Sequence, residues 1–185
     1  MWWKNKRRQA RKAGRIRQTR YRLRCGRAGY AAALILALAS LCMSGCGVDD
    51  IDISGYADET ITLAGVADED IRLTVADLKE MDCVTVKTES TSDKIGQVRA
   101  TGPTLDEVLS QFGMSQQDIG KIRVYGKDKY DVKLDRRVLA ESDVILAVGI
   151  DGQPLGEEDA PVRIIIPESD SAYWVRMVER IELED

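Results

Sequence analysis

The chain has 185 residues, 27 of them basic and 31 acidic, with four cysteines and no histidine. The missing histidine excludes Ser-His-Asp and Cys-His nucleophilic catalysis, histidine general bases and histidine-ligated metal sites. The formal charge of −4 hides an asymmetry, because twelve basic residues lie between Lys4 and Arg27 ahead of any acidic one, and residues 47–185 carry −16. A surface of that sign repels phosphate backbones and anionic headgroups, so nucleic acid is excluded as a partner.

Residues 1–46 read as a leader. The basic stretch is followed by an uncharged run from Ala28 to Val48, whose strongly apolar core, Tyr30 to Met43, has the length of a signal-peptide h-region. A transmembrane helix needs about 20 mostly apolar residues. The h-region ends in "MSGC", Met43 to Cys46, which resembles a bacterial lipoprotein signal in which the cysteine thiol takes a diacylglycerol and becomes the mature N-terminus. Cys46 is the expected lipidation site; an uncleaved signal anchor is the alternative. Both place residues 47–185 outside the cytoplasm and tethered to the bacterial cell membrane. The pair Arg7-Arg8 lacks the hydrophobic residues that a twin-arginine signal carries after it.

Residues 47–59, "GVDDIDISGYADE", are acidic and small, without sustained periodicity, and predict a flexible spacer. Residues 60–185 are long enough for one ordinary domain. Cys83 is its only thiol, so no internal disulfide is available and a packed core must hold it.

Within that domain the predicted elements alternate. "TITLAG" (60–65) alternates and stops at glycine, as a strand does. Thr74 with Asp77 predicts a capping-box start to a short helix, and "CVTVKT" (83–88) a β-branched strand. Thr104 with Glu107 opens a second helix with Leu105, Val108, Leu109 and Phe112 on one face and Gly113 as its stop. "KIRVYG" and "YDVKL" flank a "KDK" hairpin, "DRRVLAES" is a short helix, and "VILAVGI" (144–150) is a buried strand ending at the Asp151-Gly152 turn. "VRIIIP" (162–167) is another strand, and "WVRMVERIEL" finishes as a strand. The class is α+β, mainly β, without a Walker or dinucleotide phosphate loop.

In order and spacing, "TGPTLDEVLSQFG", "VYGKDKYDVKL", "ILAVGIDGQPL", "APVRIIIP" and "WVRMVERIEL" resemble the oxidoreductase molybdopterin-binding domain of the sulfite oxidases across residues 60–185. The resemblance implies the sulfite-oxidase-type fold and a cofactor pocket flanked by Thr88, Arg99, Asp128, Tyr130, Arg163 and Trp174. In catalytic members a cysteine at the end of the strand matching "CVTVKT" binds molybdenum as thiolate. Matching that motif to Val84-Thr85-Val86-Lys87 puts Thr88 at the ligand position, and a hydroxyl lacks the softness the metal calls for. Cys83 lies an odd number of residues upstream, hence on the opposite sheet face, and reads as a buried apolar thiol.

Each candidate also has a plain structural reading. Tyr130 and Trp174 suit core aromatics, Asp128 suits a turn, and Arg99 suits an exposed strand edge. Arg163 suits an arginine whose stem packs while its head reaches water, Glu158 or Asp159. No metal and no cofactor are expected, and molybdopterin enters by resemblance alone. The reading is a membrane-anchored extracytoplasmic module that binds a small ligand or a protein without catalysis. The alternatives are a molybdenum-cofactor oxidoreductase of the sulfite oxidase type and a structural lipoprotein.

Overall fold

The computed structural model describes residues 50–92 and 95–184. The leader and Cys46 lie outside the described residues. The first four elements are strand β1 (Thr60–Ala64), strand β2 (Ile71–Thr74), helix α1 (Val75–Glu80) and strand β3 (Cys83–Glu89). Strand β4 (Gln97–Pro103), helix α2 (Leu105–Ser110), strands β5 (Lys121–Gly126) and β6 (Asp131–Asp135) and helix α3 (Arg136–Glu141) follow. The chain then runs through short strands β7 (Ile145–Ala147), β8 (Gly149–Ile150), β9 (Gln153–Pro154) and β10 (Arg163–Ile165), and ends in β11 (Val178–Glu184). The class is α+β and mainly β, as the periodicities predict.

The helix starts follow the sequence signals. Thr74 caps α1 in a full capping box: its hydroxyl accepts from the Asp77 amide at 3.0 Å and the Asp77 carboxylate accepts from the Thr74 amide at 2.8 Å. Thr104 accepts from the Glu107 amide at the head of α2, and Asp135 from the Arg137 and Val138 amides at the head of α3. Leu105, Val108 and Leu109 are fully buried beneath α2.

Three sheets surround the core. The largest has the order β2-β1-β11-β5-β6, in which β1 and β11 run parallel and the other neighbours antiparallel. A second has the order β3-β4-β8-β9, and a two-stranded sheet joins β10 to β7. β11 therefore occupies the centre of the main sheet, with Val178 and Ile181 fully buried.

Two expectations are corrected. The run 144–150 is not one strand but two, β7 and β8, which belong to different sheets and break at Val148. Here β4 passes so close that a Cβ on Gly102 would lie 2.0 Å from the Leu146 carbonyl oxygen, and the Val148 amide donates to the Thr101 carbonyl. The break lets one apolar run supply both sheets. The second correction concerns the spacer at 47–59, which is docked from Ile51 onward, with Ile51, Ile53 and Tyr56 buried in the core. Ile51 fills the space left by the absent side chain of Gly149, where a Cβ would sit 2.6 Å from it. Tyr56 Oη donates to the Val148 carbonyl and accepts from the Leu155 amide at 3.0 Å. Three apolar side chains among acidic ones are enough to fasten the segment, since each contributes roughly 1.5–3 kcal/mol on burial.

Among the described residues no helix is long and apolar enough to cross a membrane.

Candidate functional site

The sheet register sends alternate residues of β3 to opposite faces. Cys83 pairs with Pro103 and Thr88 with Val98, so the thiol and the Thr88 hydroxyl stand at opposite ends of the strand and on different faces. Cys83 is half-buried, its Sγ lies 3.6 Å from the Leu78 carbonyl oxygen, and burial raises its thiol above its ordinary pKa. It is a poor nucleophile placed away from Thr88.

Thr88 is buried at 4% exposure, and its Oγ1 accepts from the Glu168 backbone amide at 3.0 Å. Glu168 has φ 57°, a left-handed turn that swings its N–H toward β3. The contact belongs to a hydroxyl cluster. Ser90 Oγ lies 2.9 Å from Ser92 Oγ and accepts from the Ser171 amide at 3.0 Å, while Ser92 Oγ lies 2.6 Å from Ser171 Oγ. The Thr91 amide donates to the Ser169 carbonyl. Residues 88–92 and 166–171 are thereby stitched together through a short 3-10 turn at Ser171–Tyr173.

Trp174 closes the other side of the same segment. It is 4% exposed, and its indole Nε1 donates to the Ile166 carbonyl at 2.9 Å and to Ser169 Oγ at 3.2 Å. Its polar edge is satisfied as a buried indole requires. Tyr130 differs from the core aromatic it suits in sequence. It is 45% exposed and reaches the segment only by its tip, Oη donating to the Ala172 carbonyl at 2.6 Å. Asp128 holds the β5–β6 turn by accepting from the Tyr130 amide at 3.0 Å. Thr88, Asp128, Tyr130 and Trp174 thus converge, directly or through one neighbour, on residues 166–174.

The two arginines lie elsewhere. Arg99 is exposed on β4 opposite Lys87, with its backbone clamped to the Asp151 turn: its amide donates to Asp151 Oδ1 at 2.8 Å and its carbonyl accepts from the Asp151 amide at 2.7 Å. Asp151 and Gly152 both have positive φ, the geometry of a two-residue hairpin between β8 and β9. Arg163 stands at the head of β10, with its side chain 12% exposed and its guanidinium on Asp159, Nη1 to Oδ1 3.3 Å. Arg163 Nε is buried and has no hydrogen-bond partner among the described residues. Burial lowers the Arg163 pKa, and the Asp159 charge opposes that shift. A charged side chain can begin a buried strand here because an aspartate four residues earlier, in the acidic loop, turns back to meet it.

Sequence reasoning missed the serines. Their signal is a pair of matched short tracts, Ser90-Thr91-Ser92 and Ser169-Asp170-Ser171, each too polar for the strand or turn it interrupts. It also missed Gln116, 4% exposed, whose amide donates to the Leu139 and Ser142 carbonyls and accepts from the Val144 amide. Beside it is a recess of about 190 Å³, below the ~300–1,000 Å³ of an ordinary small-molecule site. A second, more open recess of about 360 Å³ is walled by Asp77, Glu80, Asp82 and Glu107. Among the described residues no three His, Cys, Asp or Glu side chains are grouped to hold a metal ion.

The family model described as oxidoreductase molybdopterin binding domain matches residues 48–185. The fold is shared with the sulfane dehydrogenase SoxCD of Paracoccus pantotrophus, with a TM-score of 0.58 and 18% identity over 75% of this chain. This chain spans 40% of the length of that one. No curated protein matches. With the family model covering the whole described domain, the chain belongs to the oxidoreductase molybdopterin-binding domain family.

Proposed function

We propose that this protein is a membrane-anchored, extracytoplasmic module that keeps the molybdopterin-domain fold and works by binding a small ligand or a protein, without redox catalysis. One observation carries the reading. At the position where the resemblance puts a metal-binding thiolate, the chain has Thr88, whose hydroxyl is buried and already accepts from the Glu168 amide. A neutral alcohol is a hard, weakly acidic donor, whereas molybdenum held through sulfur calls for a soft anionic one.

The remaining donors fit no better. Cys83 sits at the far end of β3 with its pKa raised, and the chain has no histidine to contact a pterin or substrate. Arg163, the candidate for an anionic group, already has Asp159 as counterion at Nη1, though its buried Nε has no partner among the described residues. The residues present therefore do not fit a thiolate-bound molybdenum centre. What they do form is a hydroxyl-rich end of β3 overlaid by residues 166–171, a segment that Trp174 holds through the Ile166 carbonyl. In an acidic domain, polar uncharged hydroxyls suit a neutral or cationic ligand or the backbone of a partner polypeptide.

The test is turnover. Protein exported from a cofactor-competent host is assayed with sulfite and an artificial electron acceptor, beside its Thr88→Val variant. The reading expects equal, background rates in both. Turnover in the natural protein that disappears in the variant would contradict it.

A further inference from the structure

Residues 51–57 form a strap that joins the core without joining a sheet. Ile51 is buried against Gly149, and Lys79 Nζ donates to the Ile51 carbonyl at 2.6 Å. The Ala57 carbonyl accepts from the Ala76 amide at 3.1 Å. Between these two fastenings Tyr56 is buried, and its hydroxyl reaches the backbone of another element.

That element is the β8–β9 hairpin, whose register pairs Ile150 with Gln153 and Gly149 with Pro154. The next rung is Val148 with Leu155. Bonded rungs alternate in an antiparallel ladder, so at this rung the Leu155 amide would donate directly to the Val148 carbonyl. Instead both groups bond the phenol. Tyr56 Oη donates to the Val148 carbonyl at 2.5 Å and accepts from the Leu155 amide at 3.0 Å. Burial raises the Tyr56 pKa, which keeps the hydroxyl neutral and able to donate and accept at once. The phenol is a wedge in the ladder.

The wedge stands immediately before the acidic loop. After Leu155 comes Gly156, whose carbonyl accepts from the Asp159 and Ala160 amides at 2.9 Å each, and Asp159 meets Arg163. Val148 is held from its other side, its amide donating to the Thr101 carbonyl at 2.8 Å, so Leu155 is the partner that moves. Without the phenol the rung closes by at most about 2.6 Å, the two bonds to the hydroxyl less one ordinary bond. The contacts of Asp159 with Arg163 Nη1 are already 3.3 and 3.4 Å, so a fraction of that movement parts them. We propose that the strap is a latch on the Asp159–Arg163 pair. Docked, Tyr56 holds the rung open and seats Asp159 on Arg163; withdrawn, it lets Leu155 close on Val148 and draw the loop off the guanidinium. Anything that binds or pulls residues 51–57 then acts on Arg163, and the latch needs no residue ahead of Ile51.

The experiment modifies the full chain with phenylglyoxal and reads by mass the rate at Arg163 relative to Arg72, which is exposed on β2. Tyr56→Phe keeps the ring and removes the hydroxyl. Arg163 should then be modified at least about threefold faster relative to Arg72 than in the natural protein, as local opening exposes it. An unchanged ratio overturns the latch. Thr74→Ala removes the cap of α1 instead and should leave the ratio as it is; an equal rise there would come from general loosening and overturns it too. Hydrogen exchange at Leu155 reads the rung itself. In Tyr56→Phe that amide should keep its protection to within about tenfold, because the Val148 carbonyl takes it, and a larger loss overturns the closure. If Tyr56→Phe does not fold, Lys79→Met decides, since it frees the Ile51 carbonyl while the phenol remains. Faster modification of Arg163 is expected there, and the natural rate contradicts the latch.

Discussion

Thr88 and Glu168, separated by 80 positions in sequence, are joined by one hydrogen bond, from the Glu168 amide to the Thr88 hydroxyl at 3.0 Å. The bond ties the end of β3 to the segment after β10 through the only polar atom of the Thr88 side chain. Thr88→Val keeps the shape and removes the acceptor, leaving the Glu168 amide without it. Stability should fall by about 0.5–1.5 kcal/mol, the net worth of a typical hydrogen bond, since the amide belongs to the exposed Glu168 and can turn to water. Thr88→Ser, which keeps the oxygen, should lose less. Urea unfolding of the three proteins decides the matter, and a neutral Thr88→Val would mean that the amide finds another acceptor.

Asp159 and Arg163 make an asymmetric pair of mutations. Removing the aspartate's charge leaves a largely buried guanidinium without its counterion, whereas replacing the arginine removes the charge that needed one. Asp159→Asn is expected to cost about 3 kcal/mol or more, and Arg163→Met clearly less. If Arg163→Met proves the more damaging in thermal unfolding, the arginine has a partner other than Asp159.

Ile51 and Gly149 should be coupled. Ile51→Ala empties a buried site and is expected to cost about 2–5 kcal/mol. Gly149→Ala pushes a methyl group into the same isoleucine and should also destabilise. The double variant removes the clash, so its loss should be smaller than the sum of the two by at least about 0.5 kcal/mol. Additive losses in a denaturant cycle would show that the strap is not seated on Gly149.

Acid should loosen α1 at its cap. The Thr74 hydroxyl first, and then its amide, hold the Asp77 carboxyl below its ordinary value of 3.8. A carboxyl with a depressed folded pKa stabilises fully above its unfolded value and loses that contribution as pH falls through the folded one. The stability difference between the natural protein and Asp77→Ala should be constant from neutral pH down to about 5 and shrink below about 4. A difference unchanged at pH 3 would remove the capping carboxylate from the account.

Much of the fold was legible because its signals are local. Thr74 with Asp77, the "KDK" turn and the Asp151-Gly152 turn are each written within four residues and form as read, while Thr104 caps α2 but the Glu107 carboxylate accepts from Gln111. What escaped depends on distant partners. β4 contains Gly102 and Pro103, which weaken its strand pattern, and the glycine is needed because Leu146 passes against it. Ile51, Ile53 and Tyr56 look like isolated apolar residues in an acidic spacer until Gly149, Val148 and Leu155 supply the surfaces they meet. At the candidate site the resemblance points to Thr88, which the structure places in a buried hydroxyl cluster. The serines that lock its surroundings were not legible, because Ser90 and Ser171 become neighbours only through folding. The aromatics divided. Trp174 is the core residue its type suggests, while Tyr130 lies exposed with only its hydroxyl engaged.

The central claim is that this member of the molybdopterin-binding domain family works without a metal centre at Thr88. The most direct measurement is the molybdenum, tungsten and pterin content of residues 47–185, exported from a cofactor-competent host and again after reconstitution with purified cofactor. Elemental analysis reads the metals, and fluorescence after oxidative release reads the pterin. The account predicts neither metal nor pterin from well-folded, monodisperse protein in either preparation. Stoichiometric metal would contradict it and return Thr88 to the wall of a working redox centre.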